Sequence, residues 1–270
     1  MKGLLRSTAS GSETTQVGMT NRFAVLGSPI SHSQSPLLHQ AAFGCSGVDA
    51  SYEAVELASG LSEFAKSLDS SWLGLSLTMP LKEEALDVAS QLHPLAISTR
   101  SANTLVKREE TWLAYNTDVM GLQYAVKEVE FKSVGILGSG ATARSAIVAF
   151  EDHDVKVWAR NTDKAAALAE AYGVVVSSLT DVLNSDLVIS TVPKGVLHDL
   201  AGERYNGVLL DVVYANSSVA GFSRQISGLE MLLWQAVGQH RLFRGRPLDE
   251  PIADEAEIVA AMRAALGMGE

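Results

Sequence analysis

The chain has 270 residues, 47% of them apolar, and a formal net charge of −10. That length suits one large domain or two modest ones, with enough apolar material for a sizeable core. The acidic balance without any run of Lys and Arg argues against a nucleic-acid partner. No apolar stretch reaches membrane-spanning length, and a single cysteine, Cys45, rules out an intramolecular disulfide.

Residues 1–18 are rich in Ser, Thr and Gly and lack an apolar signal-peptide core, so a disordered leader is expected before Met19. A reducing cytoplasm fits this composition. Ordered structure is expected from a strand at 23–26, closed by Gly27, followed by a helix over 36–43. Cys45 ends the apolar run Ala41-Ala42-Phe43-Gly44-Cys45 and reads as a small buried hydrophobe, not a nucleophile. Next come a strand at 52–57, a helix at 61–68 and a strand at 72–77. Pro80 opens a helix over 81–89, because proline suits a first turn whose amide has no partner. Strands at 103–107 and 112–115 follow. Strands alternating with helices predict a largely parallel α/β sheet.

Residues 119–129 read as a connecting helix, with a domain boundary near Asp118. A second α/β series then begins: strand 134–137, helix 141–150, strand 155–159, helix 162–172, and strands at 174–176, 186–190 and 208–212. Helices at about 229–243 and 253–266 close the chain.

The strand at 134–137 runs into Gly138-Ser139-Gly140-Ala141-Thr142-Ala143 and then a helix. Gly138 allows the tight turn, Gly140 lets backbone approach a pyrophosphate, and Ala143 lets helix and strand pack closely. The amides of the helix start then face the phosphates. An ordinary tight turn is the plainer reading, but the strand before and helix after are the context a dinucleotide loop needs. Where an NAD-binding unit places Asp or Glu to accept from the ribose hydroxyl, this chain has Ala159-Arg160-Asn161, with Lys164 one turn on. Arg can bond a 2′-phosphate and stack on adenine, so this end predicts NADP(H) over a solvated charged turn.

Three segments of the first half look chemically loaded. Ser31-His32-Ser33-Gln34-Ser35-Pro36 offers two hydroxyls, Ser33 and Ser35, that can donate to one carboxylate; Ser35 can equally cap a helix. Ser76-Leu77-Thr78-Met79-Pro80-Leu81-Lys82 leaves a strand and puts Lys82 at a helix start, against the helix dipole. Tyr115-Asn116-Thr117-Asp118 ends the first half. Lys82 and Asp118 together could manage a proton beside a carbonyl: hydride addition creates an alkoxide, which needs a nearby donor. From spacing alone a surface ion pair remains open.

Taken in order, the motifs resemble those of the shikimate dehydrogenase family, from about Arg22 to the C-terminus. They are Gly27-Ser28-Pro29-Ile30-Ser31-His32-Ser33-Gln34-Ser35-Pro36, Leu77-Thr78-Met79-Pro80-Leu81-Lys82, Ala102-Asn103-Thr104-Leu105, Asn116-Thr117-Asp118, Gly138 to Arg144, Asp211-Val212-Val213-Tyr214 and Met231-Leu232-Leu233-Trp234-Gln235-Ala236. The resemblance implies a two-domain α/β enzyme that reduces 3-dehydroshikimate to shikimate with NADPH across an inter-domain cleft. Ser33, Ser35 and Tyr214 would bind the substrate carboxylate. Thr78, Asn103, Asp118 and Gln235 would bind its ring oxygens, and Lys82 with Asp118 would be the catalytic pair. Gly138, Ser139, Gly140, Ala141, Thr142, Ala143, Arg160, Asn161 and Lys164 would hold the cofactor. Residues 19–118, completed by helices from about 236–270, would form the substrate domain, and 119–235 a Rossmann-like NADP domain, with hinge helices at 119–129 and about 229–243.

Departures from the family pattern are Ser76 for the usual Asn, Ala141 for a second glycine, Ala159-Arg160-Asn161 for Asn-Arg-Thr, and no Pro after Tyr214. The expected state is a cytoplasmic monomer or homodimer with no metal, nucleic acid or membrane partner. Two rivals stay open: an NAD-dependent quinate/shikimate dehydrogenase and a non-catalytic NADP-binding sensor.

Overall fold

The structure, a computed structural model, describes residues 20–193, 196–197, 204–213 and 219–269. The expected leader and Tyr214 therefore lie outside the described residues.

The first sheet holds β1 (Asn21–Gly27), β2 (Ala50–Glu56), β3 (Trp72–Leu77), β4 (Gln91–Leu92), β5 (Thr104–Arg108) and β6 (Thr111–Tyr115), in the order β2-β1-β3-β5-β6-β4. β1 pairs parallel with β2 and β3, and its residues Phe23 to Gly27 are all buried, as a parallel strand covered on both faces should be. The pairs β3–β5 and β5–β6 are antiparallel, so the expected parallel sheet carries a hairpin. Its cause is the two-residue link Glu109-Glu110, with Glu109 at φ 52°, which is too short for a crossover.

Around this sheet lie α1 (Ser35–Ser46), α2 (Leu61–Ser67), α3 (Ala85–Val88) and α4 (Pro94–Thr99). α1 buries Ser35, Leu38, His39, Ala42 and Phe43, a clean helical stripe. Cys45, in the last turn of α1, is exposed, which corrects its expected burial. The helix expected over 81–89 shrinks to α3. Residues before it turn instead, and the Lys82 carbonyl accepts from the Ala102 amide at 2.7 Å, so it is spent outside a helical ladder. α4 was not anticipated; at six residues it is too short to show a helical period.

α5 (Asp118–Ala125) leads to the second sheet, whose strands all pair parallel. These are β7 (Ser133–Leu137), β8 (Asp154–Trp158), β9 (Val175–Val176), β10 (Leu187–Ser190), β11 (Tyr205–Asp211) and β12 (Phe222–Ser227). The helices α6 (Ala141–Ala149), α7 (Thr162–Tyr172) and α8 (Leu179–Leu183) connect them. The order β9-β8-β7-β10-β11-β12 is the doubly wound dinucleotide-binding order, whose chain reversal opens a crevice between β7 and β10. β12, an edge strand with exposed Arg224 and Gln225, carried too little apolar alternation to be foreseen.

The chain then returns. α9 (Gly228–Phe243) packs along α5, and α10 (Glu255–Ala265) packs on α1. α5 and α9 approach closely: a Cβ on Gly121 would meet the Met231 carbonyl at 2.7 Å, so only glycine fits there. α9 supplies Leu233, Ala236, Val237, Leu242 and Phe243 to the first half's core, while Met231 joins the second half's core. Arg241, fully buried on α9, donates to both Glu255 oxygens at 2.6 Å and fastens α10. Among the described residues no helix is long and apolar enough to cross a membrane.

Candidate active site

One cavity of about 760 Å³ opens between the two sheets. The loop after β1 lends it Ser33 and Ser35, the β3 end lends Ser76, Thr78 and Lys82, the start of β5 Asn103, the start of α5 Asp118, and α9 Gln235 and Gln239. Thr142, in the first turn of α6, comes from the other half. Seven positions expected from the sequence to meet a substrate (Ser33, Ser35, Thr78, Lys82, Asn103, Asp118 and Gln235) thus share one wall.

Lys82 Nζ lies 2.5 Å from Asp118 Oδ2, with side chains 14% and 4% exposed, so the pair is no surface ion pair. Asp118 is held from three sides. Its other oxygen accepts from Asn103 Nδ2 at 2.8 Å, its amide donates to Asn116 Oδ1 at 3.0 Å, and it sits in the first turn of α5, where the helix dipole favours a carboxylate. Asn103 also donates to Gln235 Oε1 at 3.2 Å and accepts from the Thr117 amide at 2.8 Å. Gln235 Nε2 donates to the Leu232 carbonyl at 2.9 Å, which keeps one amide proton for the cavity. Lys82 sits on a turn after β3, not at the start of a long helix, so the expected conflict with a helix dipole does not arise.

At the serine end, Ser33 Oγ accepts from the Ser35 amide at 3.3 Å, and both Ser35 and Tyr52 are buried. No side chain caps α1, so the capping role considered for Ser35 is absent. Burial raises the Tyr52 phenol well above its usual range and keeps it protonated.

Beneath this wall runs a layer the sequence reading missed. The Tyr52 hydroxyl donates to Ser76 Oγ at 2.7 Å, and Ser76 donates to Gln239 Oε1 at 3.0 Å. His39 Nε2 reaches the same oxygen at 3.1 Å. One signal was available: Gln239 follows Gln235 by four positions on a helix, which puts both on one face.

The second hollow, about 480 Å³, is lined by Gly138, Ser139, Gly140, Trp158, Arg160, Asn161, Lys164 and Thr191 among others. It lies at the β7/β10 switch point. Gly138 has φ +122°, and a Cβ there would strike Thr191 Oγ1. A Cβ on Gly140 would enter open space, which is the room a phosphate needs above this loop. Arg160 and Lys164 are exposed and make no ion pair with a described residue. Asn161 spends its side-chain oxygen capping α7, accepting from the Lys164 amide at 2.9 Å. Ala141 starts α6 and Ala143 is buried within it; neither lines the hollow. Open phosphate room, exposed cations and no carboxylate at Ala159 fit a phosphorylated dinucleotide. No cluster of three or more potential metal ligands exists among the described residues.

The halves also touch directly. Arg144 on α6 donates to the Thr99 carbonyl at 2.9 Å and to Glu83 at 2.6 Å, and Asn116 donates to Ser145 at 3.0 Å.

Residues 25–105 match the family model described as the shikimate dehydrogenase substrate-binding domain, and residues 133–213 match that of NADP oxidoreductase coenzyme F420-dependent. A relative from Ignicoccus hospitalis, named shikimate dehydrogenase (NADP(+)), is 34% identical over 83% of this chain and 93% of its own. The solved shikimate dehydrogenase of Mycobacterium tuberculosis is 36% identical, with TM-score 0.78, over 90% of this chain and 99% of that one. The Thermus thermophilus shikimate 5-dehydrogenase, solved in complex with NADP(H) and shikimate, is 28% identical, with TM-score 0.79, over 91% and 99% of the two chains.

Proposed function

Because the chain belongs to the shikimate dehydrogenase family, we propose that it catalyses the reversible reduction of 3-dehydroshikimate to shikimate with NADPH. The observation that carries this reading is the buried Lys82–Asp118 pair, braced by Asn103 inside a cavity that the cofactor-side Thr142 also lines.

NADPH, when bound, supplies the hydride. This chain's residues do the rest. Lys82 gives a proton to the ring oxygen as it becomes an alkoxide, and takes it back in the oxidation direction. Asp118 holds the ammonium in place and accepts from a ring hydroxyl. Ser33 and Ser35 donate to the substrate carboxylate, together with Tyr214, and Thr78, Asn103 and Gln235 fix the remaining ring oxygens. Gly138, Ser139 and Gly140, with the amides of Ala141 and Thr142 at the start of α6, would cradle the pyrophosphate, Ala143 would let helix and strand pack closely, and Arg160 with Lys164 would take the 2′-phosphate. Asn161 contributes by capping α7 beneath them.

We divide the chain as residues 19–118 with the helices from about 236–270 for substrate, and 119–235 for cofactor. α5 and α9 lie between them as the hinge, and α9's contribution to both cores supports this. Closing the cleft excludes water and aligns the reactants. NADPH use and a single cysteine fit a cytoplasmic setting.

A four-way assay tests the reading: shikimate or quinate, each with NADP+ or NAD+. We expect turnover with shikimate and NADP+ to dominate. Preferential turnover of quinate with NAD+ would replace this reading with the quinate/shikimate one, and no turnover in any combination would leave only nucleotide binding.

A further inference from the structure

A hydrogen-bond chain under the substrate cavity has its direction set by one backbone carbonyl. Gln239, 1% exposed, donates through Nε2 to the Asn103 carbonyl at 3.1 Å and to Thr104 Oγ1 at 3.0 Å. A carbonyl oxygen only accepts, so the amide nitrogen must face Asn103 and Oε1 must face the other way. On that side Oε1 accepts from the Ser76 hydroxyl and from His39 Nε2. Ser76 has one proton, and it is now committed. The Tyr52 hydroxyl, 2.7 Å away, must therefore donate to Ser76 Oγ. The buried His39 ring agrees: burial keeps it neutral, its Nε2 carries the proton, and its Nδ1 has no partner among the described residues.

Counting capacity shows what reaches the cavity. Both donors and both acceptor positions of the Gln239 amide are used. Ser76 keeps one acceptor lone pair and no proton. Both residues line the cavity. Elsewhere on the wall, Lys82 and Gln235 keep protons that can meet acceptors.

We propose that Gln239 is a positioning residue for substrate specificity: by drawing the Ser76 proton out of the cavity, it makes Ser76 an acceptor-only contact. That contact takes a non-reacting ring hydroxyl as donor and disfavours any acceptor in its place. The proposal rests on the shikimate reading above.

The test uses shikimate analogues in which one of the non-reacting ring hydroxyls is replaced by hydrogen or by fluorine. Neither replacement can donate, while fluorine can still accept weakly. For the wild-type enzyme, one ring position should lose roughly 3- to 10-fold in kcat/KM with either replacement, carried mainly by KM. Fluorine should do no better than hydrogen there. Ser76→Ala should shrink the loss at that position alone to less than about 2-fold. Gln239→Met, which frees the Ser76 proton, should make the fluoro analogue the better of the two. A structural role for Gln239 would lower activity with all analogues alike and leave this order unchanged, which would overturn the proposal. So would losses untouched by Ser76→Ala, or fluorine outperforming hydrogen at both positions in the wild type. If Gln239→Met does not fold, the wild-type and Ser76→Ala arms decide alone. Wild-type turnover of shikimate separates the two failures: without it the activity reading falls, and with it only this proposal can.

Discussion

The substrate cavity and the cofactor hollow treat polar groups in opposite ways. In the first, Asp118, Asn103, Gln239 and Ser76 are buried and each spends its bonds on neighbours before any ligand arrives. In the second, Arg160 and Lys164 stand in solvent with no ion pair to a described residue. A buried, braced group acts in a low dielectric and needs no reorganisation during reaction. An exposed cation costs little to hold and adds affinity that salt screens. The chemistry therefore depends on placement in one half, and recognition of a phosphate on charge in the other.

The largest test of that contrast is Lys82→Ala. Loss of a positioned proton donor should lower kcat by about 10²- to 10⁴-fold while the dissociation constant for shikimate changes only a few-fold. Steady-state kinetics with direct ligand titration separates the two. A kcat within about tenfold of wild type would break the assignment. The variant also leaves the Asp118 carboxylate buried without its cation, so a lower unfolding temperature should accompany the loss.

Arg160→Ala should act in the other manner. We expect KM for NADP+ to rise roughly 10- to 100-fold, with turnover on NAD+ unchanged, since only the 2′-phosphate distinguishes the two. Wild-type KM for NADP+ should also rise with ionic strength. Equal losses on both nucleotides would mean that Arg160 serves the adenosine or the fold, and not the phosphate.

Legibility followed the same divide. The glycine loop could be read because strand, turn and helix are contiguous, and Gly138 needs its positive φ for a local reason. The alternation of strands and helices in the second half could be read from its apolar pattern, except for the edge strand β12. The cavity residues could be named from short motifs, but their bracing could not. Gln239 meets the Asn103 carbonyl across 136 positions, and Arg144 reaches Thr99 across 45. No local pattern encodes such contacts. The helix expected over 81–89 failed for the same reason, because the Lys82 carbonyl is taken by Ala102 from a distant strand start. Cys45 keeps the helical spacing to Leu38 and Ala42, but it lies in the last turn of α1 and is exposed there, which the period alone does not show.

The contrast extends to acid stability. Two buried histidines, His39 on α1 and His240 on α9, lie in or against the first half's core. Burial lowers His39 to about 3, and repulsion from His240 adds to it. Burial lowers His240 to about 4, with Arg244 adding to it while Asp254 and Glu255 oppose. In the unfolded chain both titrate near 6.5, so as pH falls below that value the unfolded state binds protons that the folded state refuses. Stability is then lost between about pH 6.5 and 4, by up to about tenfold in the folding equilibrium per pH unit for each histidine. The depressed carboxylates, Asp186 and Asp254 among them, lose their contribution only at lower pH, so this window belongs to the histidines, with His93 adding in the same direction. Urea midpoints at about pH 7 and about pH 5 should differ accordingly, and His240→Phe should shrink the difference. Amide exchange at the lower pH should open α1 and α9 before the second sheet. A flat midpoint across that window would show that the first half tolerates charge in its core, and the contrast between a rigid, braced half and a solvated one would lose its energetic basis.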